Sequence, residues 1–266
     1  MSSLPLAGLT VMVTRPLPAG ALLSELIVAQ GGLAIHFPTI AFVPADTHRF
    51  EQAITQLGEQ AWLIFISPQA VYASVPAIRR AWPHLPPTLK FAAVGAGTAS
   101  ALHDAGYQVS VYPDGEWNSE GLLALPLFQT VAGQKIAVIR GEGGREFIDQ
   151  SLRERGAVVT PVIAYKRSLP DVDVASILLL FKQHKIDTVI CASFESVKHL
   201  KILLGEAGWP FINTIPLIVV SERIKMLAND LGFQTIWVAQ NASHAAVMET
   251  LAQKRKALCQ VKITNK

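Results

Sequence analysis

Two stretches of this 266-residue chain repeat one another in constant register, and that narrows the folds open to it more than anything else. Ile64-Phe65-Ile66-Ser67-Pro68-Gln69-Ala70-Val71 reads as a buried strand, a serine and a helix start. Ile190-Cys191-Ala192-Ser193-Phe194-Glu195-Ser196-Val197 reads the same way, and the two serines stand 126 positions apart. At that offset Ala93-Val94-Gly95 falls on Val219-Val220-Ser221, and Asp104-Ala105-Gly106-Tyr107-Gln108 falls on Asp230-Leu231-Gly232-Phe233-Gln234. Upstream, at an offset of 125, Val11-Met12-Val13-Thr14-Arg15 faces Ile136-Ala137-Val138-Ile139-Arg140, and Gly31 faces Gly156. The chain is two similar halves, roughly 10–125 and 135–255.

Within each half, short apolar runs alternate with amphipathic stretches. The runs lack period-two alternation, as parallel strands covered on both faces do. Leu22, Leu23, Leu26 and Ile27 form the stripe of a helix that ends at Gly31-Gly32. The expected fold is α/β, with two doubly wound parallel-sheet lobes from a tandem duplication. Pro38 to Pro44 and Pro161 to Pro170 occupy matching places and suit segments crossing between lobes.

Composition removes several classes of function. Only 16% of residues are charged, and 23 Lys and Arg against 20 Asp and Glu leave a formal charge of +3. That excludes a disordered chain and lacks the basic clustering of a nucleic-acid binder, while leaving room for an anionic ligand. No apolar run approaches the ~20 residues of a membrane helix. Met1 to Leu9 has no basic region leading an apolar one, so no secretory signal is read. The two cysteines, Cys191 and Cys259, make no disulfide framework, and the seven histidines show no metal-ligand spacing. The expectation is a cytoplasmic, metal-free globular protein.

Open parallel sheets bind ligands beyond the carboxyl ends of their strands, where helix N-termini point. Those places hold Thr14-Arg15-Pro16, Ser67, Gly95-Ala96-Gly97-Thr98, Arg140-Gly141-Glu142-Gly143-Gly144-Arg145, Ser193 and Ser221. Ser119 opens another helix start ahead of Glu120-Gly121-Leu122-Leu123. Hydroxyls, free backbone N–H groups and helix dipoles make an anion site. Ser67, Ser119 and Ser193 equally suit helix N-caps, and Gly106, Gly156 and Gly232 suit turns. The stretch from Arg140 to Arg145 gives up side-chain packing for backbone access, which points to function. It lacks the Lys-Ser/Thr of a P-loop and the Gly-x-Gly-x-x-Gly of a dinucleotide site, and no Gly-x-Ser-x-Gly elbow occurs. The tail from Lys254 to Lys266 reads as a solvated, frayed end. The residues alone give two lobes whose strand ends gather donors for a sizeable anion, with no dyad, triad or metal for demanding acid–base or redox chemistry.

In order and spacing, Val13-Thr14-Arg15-Pro16, Ile66-Ser67-Pro68-Gln69-Ala70-Val71, Ala93-Val94-Gly95 with Thr98-Ala99, and Ser119 to Leu123 resemble the uroporphyrinogen-III synthase family. Arg140 to Arg145, Tyr165, Ser193 and Val220-Ser221-Glu222-Arg223 complete the resemblance, which runs over nearly the whole chain. It implies HemD-like lobes joined by a two-stranded connection. One lobe would be discontinuous (1–37 with 168–260), the other 38–167, and 261–266 a tail. A hinge would let the lobes open and close.

The resemblance also implies a substrate, hydroxymethylbilane, a linear tetrapyrrole with many carboxylates. Loss of water from the ring A hydroxymethyl group leaves an azafulvene, which ring D attacks through its substituted carbon. The spiro intermediate fragments and recloses with ring D inverted, giving uroporphyrinogen III. No cofactor or metal is implied. The free bilane closes unaided to isomer I, so the enzyme's task is conformation and proximity. Carried over residue by residue, Ser67, Thr98, Ser119 and Ser193 are substrate contacts and Tyr165 is the donor to the departing hydroxyl. Arg15, Arg140 and the backbone of Gly141, Gly143 and Gly144 hold acetate and propionate groups. Where the family often has Gly-x-x-Thr this chain has Ser221-Glu222-Arg223-Ile224, so Ser221 stands in. Implied partners are the bilane and the upstream hydroxymethylbilane synthase, with no nucleic acid or membrane, and the chain is expected to be a monomer. Two competing readings are a non-catalytic two-lobed receptor for a small anion, usually an exported protein, and a nucleotide-sugar transferase, which needs an acidic ribose contact.

Overall fold

The computed structural model describes residues 4–143 and 146–264, with side chains to Leu258. Gly144 and Arg145, both in the glycine-rich motif, lie outside the described residues. The chain opens with β1 (Thr10–Val13), α1 (Ala19–Ala29), β2 (Leu33–His36), β3 (Ala41–Pro44), α2 (Thr47–Thr55), β4 (Trp62–Phe65) and α3 (Pro68–Ala81). It continues with β5 (Lys90–Ala93), α4 (Ala96–Asp104), α5 (Ser119–Ala124), β6 (Lys135–Gly141), α6 (Phe147–Glu154) and β7 (Val158–Ser168). It closes with α7 (Val174–Lys182), β8 (Thr188–Cys191), α8 (Phe194–Ile212), β9 (Leu217–Val219), α9 (Glu222–Asp230), β10 (Ile236–Val238) and α10 (His244–Thr264).

These elements form two compact units, one of Met1–Ala41 with Ser168–Lys266 and one of Phe42–Arg167. The discontinuous unit has a parallel five-stranded sheet in the order β10-β9-β8-β1-β2. Its two faces are separate cores. Val11, Val13 and Ile190 pack with Leu23 and Ile27 of α1 and Val247 and Leu251 of α10. Met12, Val189 and Cys191 pack with α7, α8 and α9 on the other face. The continuous unit has the order β3-β7-β6-β4-β5, with β7, β6, β4 and β5 parallel. There Leu63 and Phe65 meet α2, α3 and α4, while Trp62 and Ile64 meet α5 and α6. β4 and β8 are buried along their whole length, which is why their sequences are unbroken apolar runs.

The repeat is written in backbone angles. Gly31 and Gly156 close helices at φ 85° and 83°, and Gly106 and Gly232 do so at φ 75° and 98°. That left-handed region admits glycine without a Cβ clash. Under the repeat β1, β2, β4 and β5 correspond to β6, β7, β8 and β9, so the two sheets have one strand order. Even Val111, which bridges Ala92 beyond β5, corresponds to Trp237 of β10. The two halves are exchanged between units: each unit joins the opening β-α-β of one half to the closing elements of the other.

One expectation fails at the C-terminus. The basic tail is helical to Thr264, and Leu258 is buried. Arg255 donates to the Ala7 carbonyl at 3.1 Å and the Lys254 ammonium lies 5.8 Å from the Trp237 ring. An apolar stripe through Val247, Leu251 and Leu258 carries the helix onto the sheet, which a count of positive charges does not reveal. Among the described residues no helix is long and apolar enough to cross a membrane.

Candidate functional site

In the continuous unit, β4 ends at Phe65 and α3 begins at Pro68, with Ser67 as its N-cap in extended backbone. Its Oγ accepts from the Ala70 N–H at 3.1 Å. The same Oγ lies 3.2 Å from the hydroxyl of Tyr165 on β7. Tyr165 is 3% exposed and its ring meets Phe42 edge-on at 5.2 Å. A pocket of about 390 Å³ opens beside it, walled by Phe42, Phe50, Ala73, Pro76 and Tyr165, with Arg80 and Glu51 paired at 2.5 Å in its lining.

Gly141 explains how the tyrosine fits. The β6–β7 register shifts between Arg140 and Gly141, which sets Gly141 beside Tyr165. A Cβ on Gly141 would stand 2.6 Å from two carbons of the Tyr165 ring and 3.0 Å from its hydroxyl. The ring needs the space a side chain would take. Gly141→Ala is expected to push Tyr165 aside and cut turnover about 100-fold, since a misplacement of an ångström costs about that much. Steady-state rates against unchanged circular dichroism check it.

Arg140, expected to hold a substrate carboxylate, is committed elsewhere. It is 4% exposed and donates to Asp149 at 3.0 Å and to the Gly143 carbonyl at 3.0 Å. Asp149, in the first turn of α6, is 2% exposed, and burial raises its carboxyl against the pull of Arg140. Gly143, at φ 70°, turns the chain so that its carbonyl closes over the guanidinium. The motif's first arginine therefore shapes the glycine loop from beneath.

Arg15 is the repeat counterpart of Arg140, yet its surroundings differ. It is 8% exposed, and Nη2 donates to the Ala242 carbonyl at 2.7 Å while Nε is buried without a partner. Ser24 stands where the repeat would place Asp149, and its hydroxyl donates to the Gly20 carbonyl. Among the described residues no carboxylate neutralises Arg15, and burial lowers its pKa. The Arg15 carbonyl is 2.8 Å from His36 Nε2, and a Cβ on Gly20 would collide with both groups. His244, at the start of α10, has a buried Nε2 without a partner. Its pKa is lowered, first by burial and then by the Arg15 charge.

Ser193 and Ser221 cap α8 and α9, accepting from the N–H groups of Ser196 at 3.0 Å and Ile224 at 3.3 Å. Thr98 is buried in the first turn of α4. Ser119 is not a cap: Asn118 holds that place, its Oδ1 accepting from Gly121 at 2.7 Å, and Ser119 is the first helical residue. The structure thus joins Ser67, Tyr165 and Gly141 in one cluster and Arg140 with Gly143 in another. Sequence reasoning missed Asp149 and His244. Asp149 had one signal, an acid on the buried face of an amphipathic helix beside Ile148 and Leu152; His244 had none. The Cys191 thiol offers no nucleophile, because burial pushes it up to about 12.

Comparison with known proteins follows the same outline. The family model described as uroporphyrinogen-III synthase HemD matches residues 21–249. Uroporphyrinogen-III synthase of Escherichia coli strain K12 is 35% identical over 250 residues, covering 91% of this chain and 100% of that one. The protein of the same description from Salmonella typhimurium is 33% identical over 251 residues, covering 91% and 100%. Among solved structures, a mutant uroporphyrinogen III synthase from the extremely thermophilic bacterium Thermus thermophilus matches with a TM-score of 0.58 at 19% identity, covering 93% of this chain and 100% of that one. Uroporphyrinogen-III synthetase from Helicobacter pylori 26695 matches with a TM-score of 0.55 at 14% identity, covering 92% and 99%. At those identities the two structures speak for the fold.

Proposed function

Since the chain belongs to the HemD family of uroporphyrinogen-III synthases, we propose that it cyclises hydroxymethylbilane to uroporphyrinogen III with loss of water and inversion of ring D. The observation that carries the site is the Ser67–Tyr165 pair at 3.2 Å beside the pocket. Ser67 Oγ already accepts from the Ala70 N–H, so its own hydrogen is free to turn to Tyr165. The tyrosine O–H then points its proton at the departing hydroxyl, which leaves as water. Ring D attacks the resulting azafulvene through its substituted carbon, and the spiro intermediate fragments and recloses. The proton lost when the macrocycle forms restores Tyr165. A pocket of about 390 Å³ lies at the small end for ligand sites and takes part of the tetrapyrrole against Phe42 and Phe50.

The chain contributes conformation more than chemical force. Arg15, the hydroxyls of Thr98, Ser193 and Ser221, and the backbone of Gly141, Gly143 and Gly144 hold carboxylate side chains so that the substituted carbon of ring D meets the azafulvene first. Arg140 acts through the loop it supports. The reading includes a cytoplasmic monomer that takes the unstable bilane from hydroxymethylbilane synthase. The test is a coupled assay with bilane made in situ, oxidation of the products and chromatographic separation of the isomers. Predominantly isomer III is expected, against isomer I without protein; isomer I alone from folded protein overturns the proposal.

A further inference from the structure

The repeat gives each unit an arginine at a corresponding strand end, Arg15 just beyond β1 and Arg140 in the last residues of β6, and among the described residues only Arg140 is neutralised. Asp149 neutralises Arg140, whereas Ser24 occupies the matching place beside Arg15. A buried guanidinium without a counter-charge is costly to the fold unless an anion arrives to pair with it. What meets it in the free protein is a neutral carbonyl, that of Ala242, at 2.7 Å. Asn241, Ala242 and Ser243 are exposed, so the segment bearing that carbonyl can yield to solvent.

We propose that Arg15 and His244 form a subsite for one carboxylate side chain of the substrate, which displaces the Ala242 carbonyl on binding. The inference rests on the synthase reading above. Arg15 Nε and His244 Nε2 are both buried and unpartnered, and both belong to groups that donate to carboxylates. The backbone of Ala19, at the start of α1, also acts on the His244 imidazole and favours its charged form. Arg15 is the charged group acting on His244. The first turn of α1 has no side-chain cap, so its positive end adds to the field. An entering carboxylate supplies the opposite charge, takes the bidentate fork of Arg15 and lets His244 Nε2 carry a proton toward it. His244 is then a positioning residue: it fixes where one side chain of the bilane is held and takes no part in bond making.

The test uses the full chain and two readouts. The first titrates ¹⁵N-labelled protein with a pyrrole bearing one acetate and one propionate side chain. Amide shifts at residues 240–244 are expected, weakened about tenfold in affinity in His244→Ala. The second is the coupled assay, in which His244→Ala raises KM about tenfold with turnover kept and His244→Gln, whose Nε2 is also a donor, recovers most of it. Unmoved KM and unmoved probe affinity in His244→Ala, with isomer III still formed, overturn the subsite alone. Wild-type protein yielding only isomer I overturns the synthase reading instead, and the pyrrole titration then decides the subsite by itself.

Discussion

Tyr165→Phe lowers turnover by about 10²–10⁴-fold, the usual worth of a positioned general acid, while the protein folds as before. The ring stays, so the contact with Phe42 and the close fit over Gly141 survive. Only the hydroxyl goes, and with it one hydrogen bond to Ser67, whose Oγ still has the Ala70 N–H. A loss of that kind costs about 1 kcal/mol of stability, too little to empty the folded state. The variant should bind bilane with nearly unchanged KM and fail at the loss of water. Because free bilane closes unaided, residual product should drift toward isomer I. Single-turnover measurement of bilane consumption with isomer analysis separates the two effects. Full turnover in Tyr165→Phe removes the tyrosine from the chemistry.

The second large effect falls on stability. Asp149→Ala strands the Arg140 guanidinium at 4% exposure, and breaking a buried pair from one side costs about 3–5 kcal/mol. The melting transition should drop on the order of 10 °C. The cost comes from the orphaned charge, so replacing both partners with apolar residues, Arg140→Met with Asp149→Leu, should recover most of it. The double variant would still lose activity, because nothing then holds the Gly143 carbonyl and the glycine loop drifts. Urea unfolding of the single and double variants checks the ordering. Equal stability of Asp149→Ala and wild type would mean that the ion pair contributes nothing.

The architecture is legible in the sequence because a repeat and a strand-end pattern are both local signals carried twice. Ser67 and Ser193 can be placed at helix starts from one alignment of the chain with itself, and each caps its helix. Ser119 falls one residue from the true cap because Asn118 and Ser119 are both good caps, and only the extended backbone at Asn118 decides between them. The role of Arg140 is hidden for a different reason. Its partner lies across a glycine loop whose path no propensity determines, so a buried pair and an open anion site share one sequence pattern. The same holds for His244, whose neighbour Ala242 meets Arg15 across 227 positions of chain, a separation that local pattern cannot register. Tyr165 is placed by resemblance; its fit depends on a bulge between β6 and β7.

The exchange of halves between the units sets an order of events on the ribosome. β1 emerges early, but its neighbour β8 pairs Thr188 with Val11, and the whole continuous unit is synthesised between them. At about 5–20 residues per second, the apolar face of β1 waits roughly ten to thirty-five seconds for that partner. The continuous unit can close as it is made, whereas the discontinuous one is kept open by its own connectivity. During that interval the Met12 face of β1, whose core partners lie in α7, α8 and α9, is left uncovered, and slowing synthesis downstream of Ser168 should lengthen its exposure.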